Sequence, residues 1–386
     1  MTIPSHARVT ALWWSAGRVL RGCSLALLVV ASVGCQQQEP NGRGGEVDGI
    51  EACAELVGQT IRWIVPFSAG GGYDVYSRLL KPFYEESLGA AIVVENRSGA
   101  GGRLGARVLR DAEPDGRTLG VINAYALLVM AIAEGVTGLD PVDDFTVLGR
   151  LAVGDPVWVA APGSGFTSIE DILAHRGKAP ILFGLNGVSG TGFVAASVAA
   201  DLLGVDVTYI EGYPGTRESS LGLIRGEFDV GAFTFESIED RVEAGDLIPL
   251  LLISSAGAGL HPSLTGVPVL AGRDGLAARV ARERGGDPEV SVARAAALAG
   301  IFEVGRLVVA PPGLEPDLAE CLSARLAGVA RDPGFRDAAQ RARRALDFAE
   351  PARVAAERES TQEARLLLAD VFRRHAALAG GGQSVP

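Results

Sequence analysis

Short apolar runs recur through the middle of the chain, and each has the length of a buried strand. They occupy residues 61–65, 91–95, 118–122, 146–152, 157–161, 181–185, 230–232 and 247–253. Between them, residues 75–84, 104–110 and 193–203 carry apolar side chains at helical spacing. Strands and helices that alternate in this way predict an α/β fold with a mostly parallel sheet covered on both faces.

The first strand leads into a turn of three consecutive glycines, Gly70 to Gly72. Glycine lacks the Cβ that disfavours positive φ, so the backbone can fold tightly there and leave N–H groups uncovered. Asp74 follows as the expected N-cap of a helix, which Pro82 is expected to kink or interrupt. The turn would lie at the positive end of a helix dipole, so the sequence predicts an anion site built from backbone.

The apolar run at 181–185 repeats this arrangement, because it also leads into a glycine-rich turn and then a helix. Two such units, well separated in sequence, predict two α/β lobes whose turns face each other across a cleft, because ligands lie beyond the carboxyl ends of the strands. The expected division places residues 54–155 and 255–378 in lobe one and residues 156–254 in lobe two. The chain would cross between lobes near 154–159 and again near 250–255.

Residues 1–35 have the layout of a secretory signal, with arginines before an apolar run at 25–33 that is short for a membrane span. The small residues that end at Cys35 resemble the lipobox of bacterial lipoproteins, which predicts acylation of Cys35, although Ser32 departs from that pattern. A cleaved signal peptide and an N-terminal anchor helix are the alternatives. Polar residues 36–53 predict a flexible tether, and the protein is expected outside the cytoplasm.

The folded part retains two cysteines, Cys53 and Cys321, which could pair in an oxidising compartment or remain free. Residues 379–386 are expected to form a disordered tail. The chain has 386 residues, of which 48% are hydrophobic and 21% charged, as in a globular protein large enough for two domains. A net charge of −11 argues against nucleic acid or an acidic membrane surface as a partner.

The order of motifs over residues 58–375 resembles the Bug receptors, the substrate-binding proteins of tripartite tricarboxylate transporters. The matching segments are 64–67 with 69–71 and Asp74, 94–97 with 99–100 and Gly102, 114–116 with 118–119, 211–213, 223–229, 310–314 and 331–333. The resemblance implies a two-lobed fold like that of type II periplasmic binding proteins, with the ligand cleft between the lobes. It also implies a monomeric receptor that closes on a small organic carboxylate and presents it to a membrane permease.

The resemblance also implies which residues contact the ligand. They are Ser68, Ala69, Gly70, Gly71 and Asp74 in the first turn, Gly187, Ser189, Gly190 and Thr191 in the second, and Asn123 and Ala124 past a strand end. Tyr73 stands where the family often has a small polar residue, and it is expected to narrow the pocket or to supply a hydroxyl. The charged segment 272–295 and Arg306 also depart from the family pattern.

Two motifs invite comparison with enzymes. Gly99, Gly101 and Gly105 open a helix after a strand, but their spacing misses the dinucleotide-binding fingerprint. Ser189 lies among glycines like a hydrolase nucleophile, but residue 191 is threonine where glycine is required. The sequence has four histidines and no histidine or cysteine cluster, so we expect no cofactor and no metal. A transport receptor is the leading hypothesis, beside a receptor that signals through a sensor protein and an enzyme acting on nucleotides or esters.

Overall fold

The computed structural model describes residues 52–134, 139–188, 190–253, 261–360 and 362–380, and every element below lies within them. The predictions for residues 1–35, for Cys35, for most of the tether and for Ser189 concern residues outside this part of the chain. The strands are β1 (Thr60–Val65), β2 (Ala91–Asn96), β3 (Thr118–Asn123), β4 (Thr146–Ala152), β5 (Pro156–Ala160), β6 (Ile181–Gly184), β7 (Val207–Ile210), β8 (Val230–Thr234), β9 (Ile248–Leu252) and β10 (Arg306–Ala310).

Helices separate most of these strands. They are α1 (Gly72–Leu88), α2 (Arg103–Arg110), α3 (Ala124–Glu134), α4 (Ile169–Ala174), α5 (Thr191–Leu203), α6 (Thr216–Ile224), α7 (Glu239–Glu243), α8 (Leu276–Glu283), α9 (Pro288–Glu303), α10 (Pro316–Arg331), α11 (Pro333–Arg341), α12 (Pro351–Ser360) and α13 (Gln362–Gly380). Short 3₁₀ helices lie at Ala54–Leu56, Ala100–Gly102, Phe235–Ser237 and Pro262–Leu264. The expected tail at 379–386 begins inside α13, and its last six residues lie outside the described part.

The strands form two five-stranded sheets that repeat one plan. The first has the order β2-β1-β3-β10-β4, with β1 parallel to β2 and β3 and with β10 antiparallel to both of its neighbours. The second has the order β7-β6-β8-β5-β9, with β6 parallel to β7 and β8 and with β5 antiparallel to β8 and β9. The α/β prediction is confirmed, although each sheet is mixed because one strand enters it from the other sheet.

We call the first sheet with α1, α2 and α10 to α12 the first lobe, and the second sheet with α4 to α9 and α13 the second lobe. The chain leaves the first sheet at Ala152 and enters the second at Pro156. It returns only at Arg306, whereas the sequence placed the return near 250–255. The reason is that α8, α9 and α13 bury apolar side chains, among them Val280, Leu298 and Phe372, in the same core as α5.

Helix α3 lies between the lobes and belongs to both cores. Leu127 and Met130 pack in the first lobe with side chains of β3 and β10, whereas Tyr125 and Val129 pack in the core of the second lobe. A helix that is apolar on all sides is buried on all sides. The absence of a polar face in its described residues is therefore explained by its position.

Helix α1 is longer than the predicted segment at 75–84 and continues through Pro82. Proline removes one helical donor and leaves the carbonyl of Arg78 without its usual partner. Both residues lie on the exposed side of the helix, where water can satisfy that carbonyl. The helix therefore accommodates Pro82 without ending there.

Cys53 and Cys321 form a disulfide, with their Cα atoms 6.0 Å apart. Both residues are buried in the core of the first lobe, beside Leu56, Leu322 and Leu326. The pairing decides between the two alternatives that the sequence left open. It also fixes the last residue of the expected tether to α10.

His375 is buried on α13, where its Nδ1 lies 2.6 Å from the hydroxyl of Tyr209. Burial lowers the pKa of His375 to about 4; the charge of Asp201 opposes this shift and that of Arg374 adds to it. The imidazole is therefore neutral in the folded protein at neutral pH.

This histidine should make stability depend on pH. Below pH 6.5 the unfolded chain binds a proton that the folded chain does not bind until about pH 4, so the free energy of unfolding falls as the pH is lowered through this range. We expect a loss of about 1–2 kcal/mol between pH 7 and pH 5. Urea unfolding of the wild type and of His375→Gln at both pH values measures it. Equal pH dependence in the two proteins would contradict the assignment.

Candidate functional site

A small cavity lies between the lobes at the point where three helices begin. Its walls are Phe67, Gly71, Gly72, Tyr73, Asn186, Thr191, Gly192, Thr216, Ala232, Phe233, Thr234 and Ser237. The lining contains hydroxyl, amide and backbone groups but no charged side chain. Its volume is about 20 Å³, the space of about one water molecule.

The first wall is the N-terminus of α1. Gly71 is the N-cap of this helix, and no side chain forms a capping hydrogen bond. Asp74, the predicted N-cap, lies in the first turn of the helix instead. Asp74 accepts hydrogen bonds from the backbone N–H of Gly70 at 2.8 Å and from the side chains of Arg78 and Asn96. Burial acts against its charge, but these donors outweigh it and lower the pKa of Asp74. Asp74 therefore stabilises the turn from within.

The second wall is the N-terminus of α5, where Gly190 is the N-cap and again no side chain caps the helix. The Oγ1 atom of Thr191 lies 2.7 Å from the hydroxyl of Tyr125, and it accepts a long hydrogen bond of 3.4 Å from Asn123. Asn123 also accepts from the N–H of Ala126. These contacts join the start of α3 to the start of α5.

The third wall is the N-terminus of α6, with Gly215 as its N-cap and no side-chain cap. Ser68 of the first lobe donates to Oε2 of Glu218 at 2.7 Å, directly beside this terminus. A Cβ on Gly215 would lie 2.1 Å from the Ser68 hydroxyl. The glycine therefore permits the first-lobe turn to reach the helix.

Close contacts between glycines and the opposite lobe bring the two halves together. A Cβ on Gly72 would lie 2.5 Å from Oγ of Ser237, and one on Gly187 would lie 3.0 Å from the backbone nitrogen of Gly101. Distances this short leave no room for a side chain. The structure therefore has its lobes closed on each other around the cavity.

A buried arginine lies behind the cavity wall. Arg306 donates to Thr234 Oγ1 and to the carbonyl of Val153, each at 3.1 Å, and pairs with Glu236. Its guanidinium lies over the rings of Tyr73 and Tyr76, 5.2 and 5.0 Å from their centroids. Burial opposes its charge, but Glu236 and the tyrosines keep the pKa of Arg306 above its usual value. A fixed positive charge therefore stands one residue behind the lining.

The structure separates the predicted site residues into groups. Gly71, Tyr73 and Thr191 line the cavity. Gly190 caps α5, and Gly187 contacts the turn at Ala100 and Gly101. Ser68 contacts α6 beside the cavity, Asn123 reaches Thr191, Ala69 and Gly70 are exposed, and Ala124 is buried in the first-lobe core.

Sequence reasoning missed the third wall and the groups behind it. Thr216 follows the turn 212–215, whose two glycines and proline could have marked it as a helix start. Thr234 ends the buried strand β8, Ser237 ends the 3₁₀ helix that follows it, and Asn186 begins the second glycine-rich turn. Nothing local marks Arg306 as part of this region, because its partner Glu236 is distant in sequence.

A second group of polar residues lies apart from the cavity. Among the described residues, Glu239, Glu243 and His261 could offer three ligand atoms to a cation. His261 Nε2 lies 3.0 Å from Glu239, and Arg343 of the first lobe pairs with both glutamates. The guanidinium thus occupies the place of a cation, and the expectation that no metal binds stays a prediction.

None of the helices in the described ranges combines the length and apolar character of a membrane span.

A family model for the tripartite tricarboxylate transporter family receptor matches residues 77–276, which is more than half of the chain. The chain belongs to this receptor family. The receptor is 28% identical over 218 residues to a protein encoded in the tcbD-tcbE intergenic region of Pseudomonas sp. strain P51, a match that covers 56% of the chain and 63% of that relative. It is 27% identical to BugT of Bordetella pertussis, with 60% and 73% covered.

Solved structures share the fold of the receptor. The periplasmic binding protein BugD has a TM-score of 0.63 at 20% identity, with 81% of this chain and 97% of that chain covered. MatC from Rhodopseudomonas palustris, determined with bound malate, has a TM-score of 0.59 at 21% identity, with 83% and 97% covered. The Rpa4515 protein of R. palustris, determined with adipate, has a TM-score of 0.62 at 19% identity, with 83% and 97% covered. The expected periplasmic-binding-protein fold is confirmed.

Proposed function

We propose that this chain is an extracytoplasmic solute receptor that binds a small organic carboxylate between its lobes and delivers it to a membrane permease. One observation carries the proposal: three helices begin at one cavity, and none of the three N-termini is closed by a side-chain cap. The first-turn N–H groups and the helix dipoles favour an anion at this position. Family membership supports the same function.

The lining favours binding over chemistry. Its polar groups are hydroxyls, an amide and backbone, and it contains neither a nucleophile paired with a base nor a charged side chain. The positive charge of Arg306, one residue behind, adds a favourable field that Glu236 partly cancels. A carboxylate held in this way would be bound and released unchanged.

Entry of a ligand requires the lobes to move. A cavity of about 20 Å³ does not admit a carboxylate, so we infer that the lobes separate about the chain crossings, at 152–156, at 303–306 and between α12 and α13, and close again on the ligand. The Ser68–Glu218 hydrogen bond would break on opening, because it joins the two lobes. Small-angle scattering that does not change when a bound carboxylate is added would count against this movement.

The decisive experiment is isothermal titration calorimetry of the purified protein against mono-, di- and tricarboxylates, with matching amines and neutral amides as controls. Native mass spectrometry of copurifying small molecules narrows the panel beforehand. We expect at least one carboxylate to bind with micromolar or better affinity, about −8 kcal/mol. If the folded protein binds none of the acids, the proposal fails.

The context of the receptor follows from the same proposal. We propose that Cys35 carries a lipid that anchors a monomeric receptor outside the cytoplasm. Labelling with a radioactive fatty acid should mark the wild type and not Cys35→Ser. Cross-linking of the receptor to two membrane proteins, one large and one small, would support a permease partner. Cross-linking to a sensor kinase would favour signalling.

A further inference from the structure

Tyr73 places a buried hydroxyl at the cavity without a hydrogen-bond partner in the described part of the chain. The residue is only 7% exposed. The neighbouring Tyr125 hydroxyl interacts with that of Tyr73 and adds to the rise in its pKa, but it lies beyond hydrogen-bond distance and is 2.7 Å from Oγ1 of Thr191 instead. A buried hydroxyl left unpaired is unfavourable, so a ligand atom that accepts a hydrogen bond from it is favoured over one that cannot.

The ring of Tyr73 is held in place on two sides. The centroid of the Phe67 ring lies 4.7 Å from that of Tyr73, and the guanidinium of Arg306 lies over the Tyr73 ring, 5.2 Å from its centroid. Burial raises the pKa of Tyr73 well above its usual value, so the hydroxyl keeps its proton at neutral pH. The group is therefore a rigid, neutral donor at a fixed position.

We propose that Tyr73 makes the receptor select carboxylates that carry an additional oxygen, that is hydroxy or oxo acids, over their deoxy analogues. The inference rests on the proposed function: the carboxylate occupies the helix N-termini, and the added oxygen accepts a hydrogen bond from Tyr73. The Tyr73 ring also occupies space between the lobes where the ligand would lie, which favours short acids over long ones.

Calorimetry with two matched pairs, lactate with propionate and malate with succinate, tests this selection. We expect the hydroxy acid of the bound pair to bind about tenfold or more tightly, because the deoxy acid leaves the Tyr73 hydroxyl unpaired. In Tyr73→Phe the difference within a pair should fall to about threefold or less, with the deoxy acid affected least. This variant removes a hydroxyl without a protein partner, so it should fold, and its circular dichroism melt checks that.

Tyr76→Phe is the matched control. Its ring also faces Arg306, but its hydroxyl donates to the carbonyl of Ala345 at 2.7 Å and does not line the cavity. The preference for the hydroxy acid should survive in Tyr76→Phe. If the wild type binds both members of a pair with equal affinity, the inference is overturned and the proposed function stands. A preference for the hydroxy acid that persists in Tyr73→Phe has the same consequence. Failure of every acid to bind overturns both.

Discussion

Replacing Gly72 with valine should abolish tight carboxylate binding while leaving the fold intact. Gly72 lies in the first turn of α1 and lines the cavity, and even a single Cβ there would lie 2.5 Å from Oγ of Ser237 in the opposite lobe. The branched side chain would both occupy the ligand space and hold the lobes apart. We expect the affinity for the tightest-binding acid, measured by calorimetry, to fall about 100-fold or more, from overpacking and lost contacts together.

Gly328→Val provides the control for this variant. Gly328 lies on the exposed side of α10, where a Cβ meets no atom within 4 Å. It should bind the acid as the wild type does, and both variants should unfold in urea within about 1 kcal/mol of the wild type. Undiminished affinity in folded Gly72→Val would exclude this cavity as the binding site.

Replacing Arg306 with methionine should destabilise the protein strongly. Arg306 is 1% exposed, and its removal would leave the largely buried Glu236, and Asp155 beside it, without a cation. Burial and the charge of Glu236 already raise the pKa of Asp155, and Arg306 is the group that counters them. Breaking a buried pair by removing one partner typically costs about 3–5 kcal/mol, and urea unfolding at pH 7 would measure the loss.

A double variant separates the charge from the packing. Arg306→Met with Glu236→Gln removes both charges and should recover most of the lost stability, because no unpaired carboxylate of that pair remains. Arg273→Met is the exposed control: its partner Glu289 is 69% exposed, and the change should cost less than about 0.5 kcal/mol. A double variant as unstable as the single one would show that packing, and not charge, is what Arg306 supplies.

The sequence predicted eight of the ten strands in the described part of the chain, because each of the eight is a short apolar run, but it predicted neither β7 nor β10. It failed for α3, whose described side chains are apolar on every side, so no helical period could be read from it. It also failed for the return crossing, because the burial of Val280 and Leu298 against α5 is a tertiary contact. Local pattern thus gives the elements, whereas the allocation of elements to lobes depends on which apolar faces meet.

The candidate site shows the same division. The glycine turns at Gly71 and Gly190 were visible in sequence because close backbone approach requires glycine. The inward role of Asp74 was not visible, because its side chain is satisfied by Asn96 from the next strand. The sequence marks Arg306 only as a departure from the family pattern, because its partners Glu236 and Tyr73 are distant in sequence and come near it only in the folded protein.

The Cys53–Cys321 cross-link determines where mechanical load enters the molecule. A pull on the residues that precede Cys53 would divide between the disulfide to α10 and the backbone that continues to β1, both of which lie in the core of the first lobe. The second lobe is attached to neither of these two connections, so the lobe movement proposed above would not strain the chain that precedes Cys53.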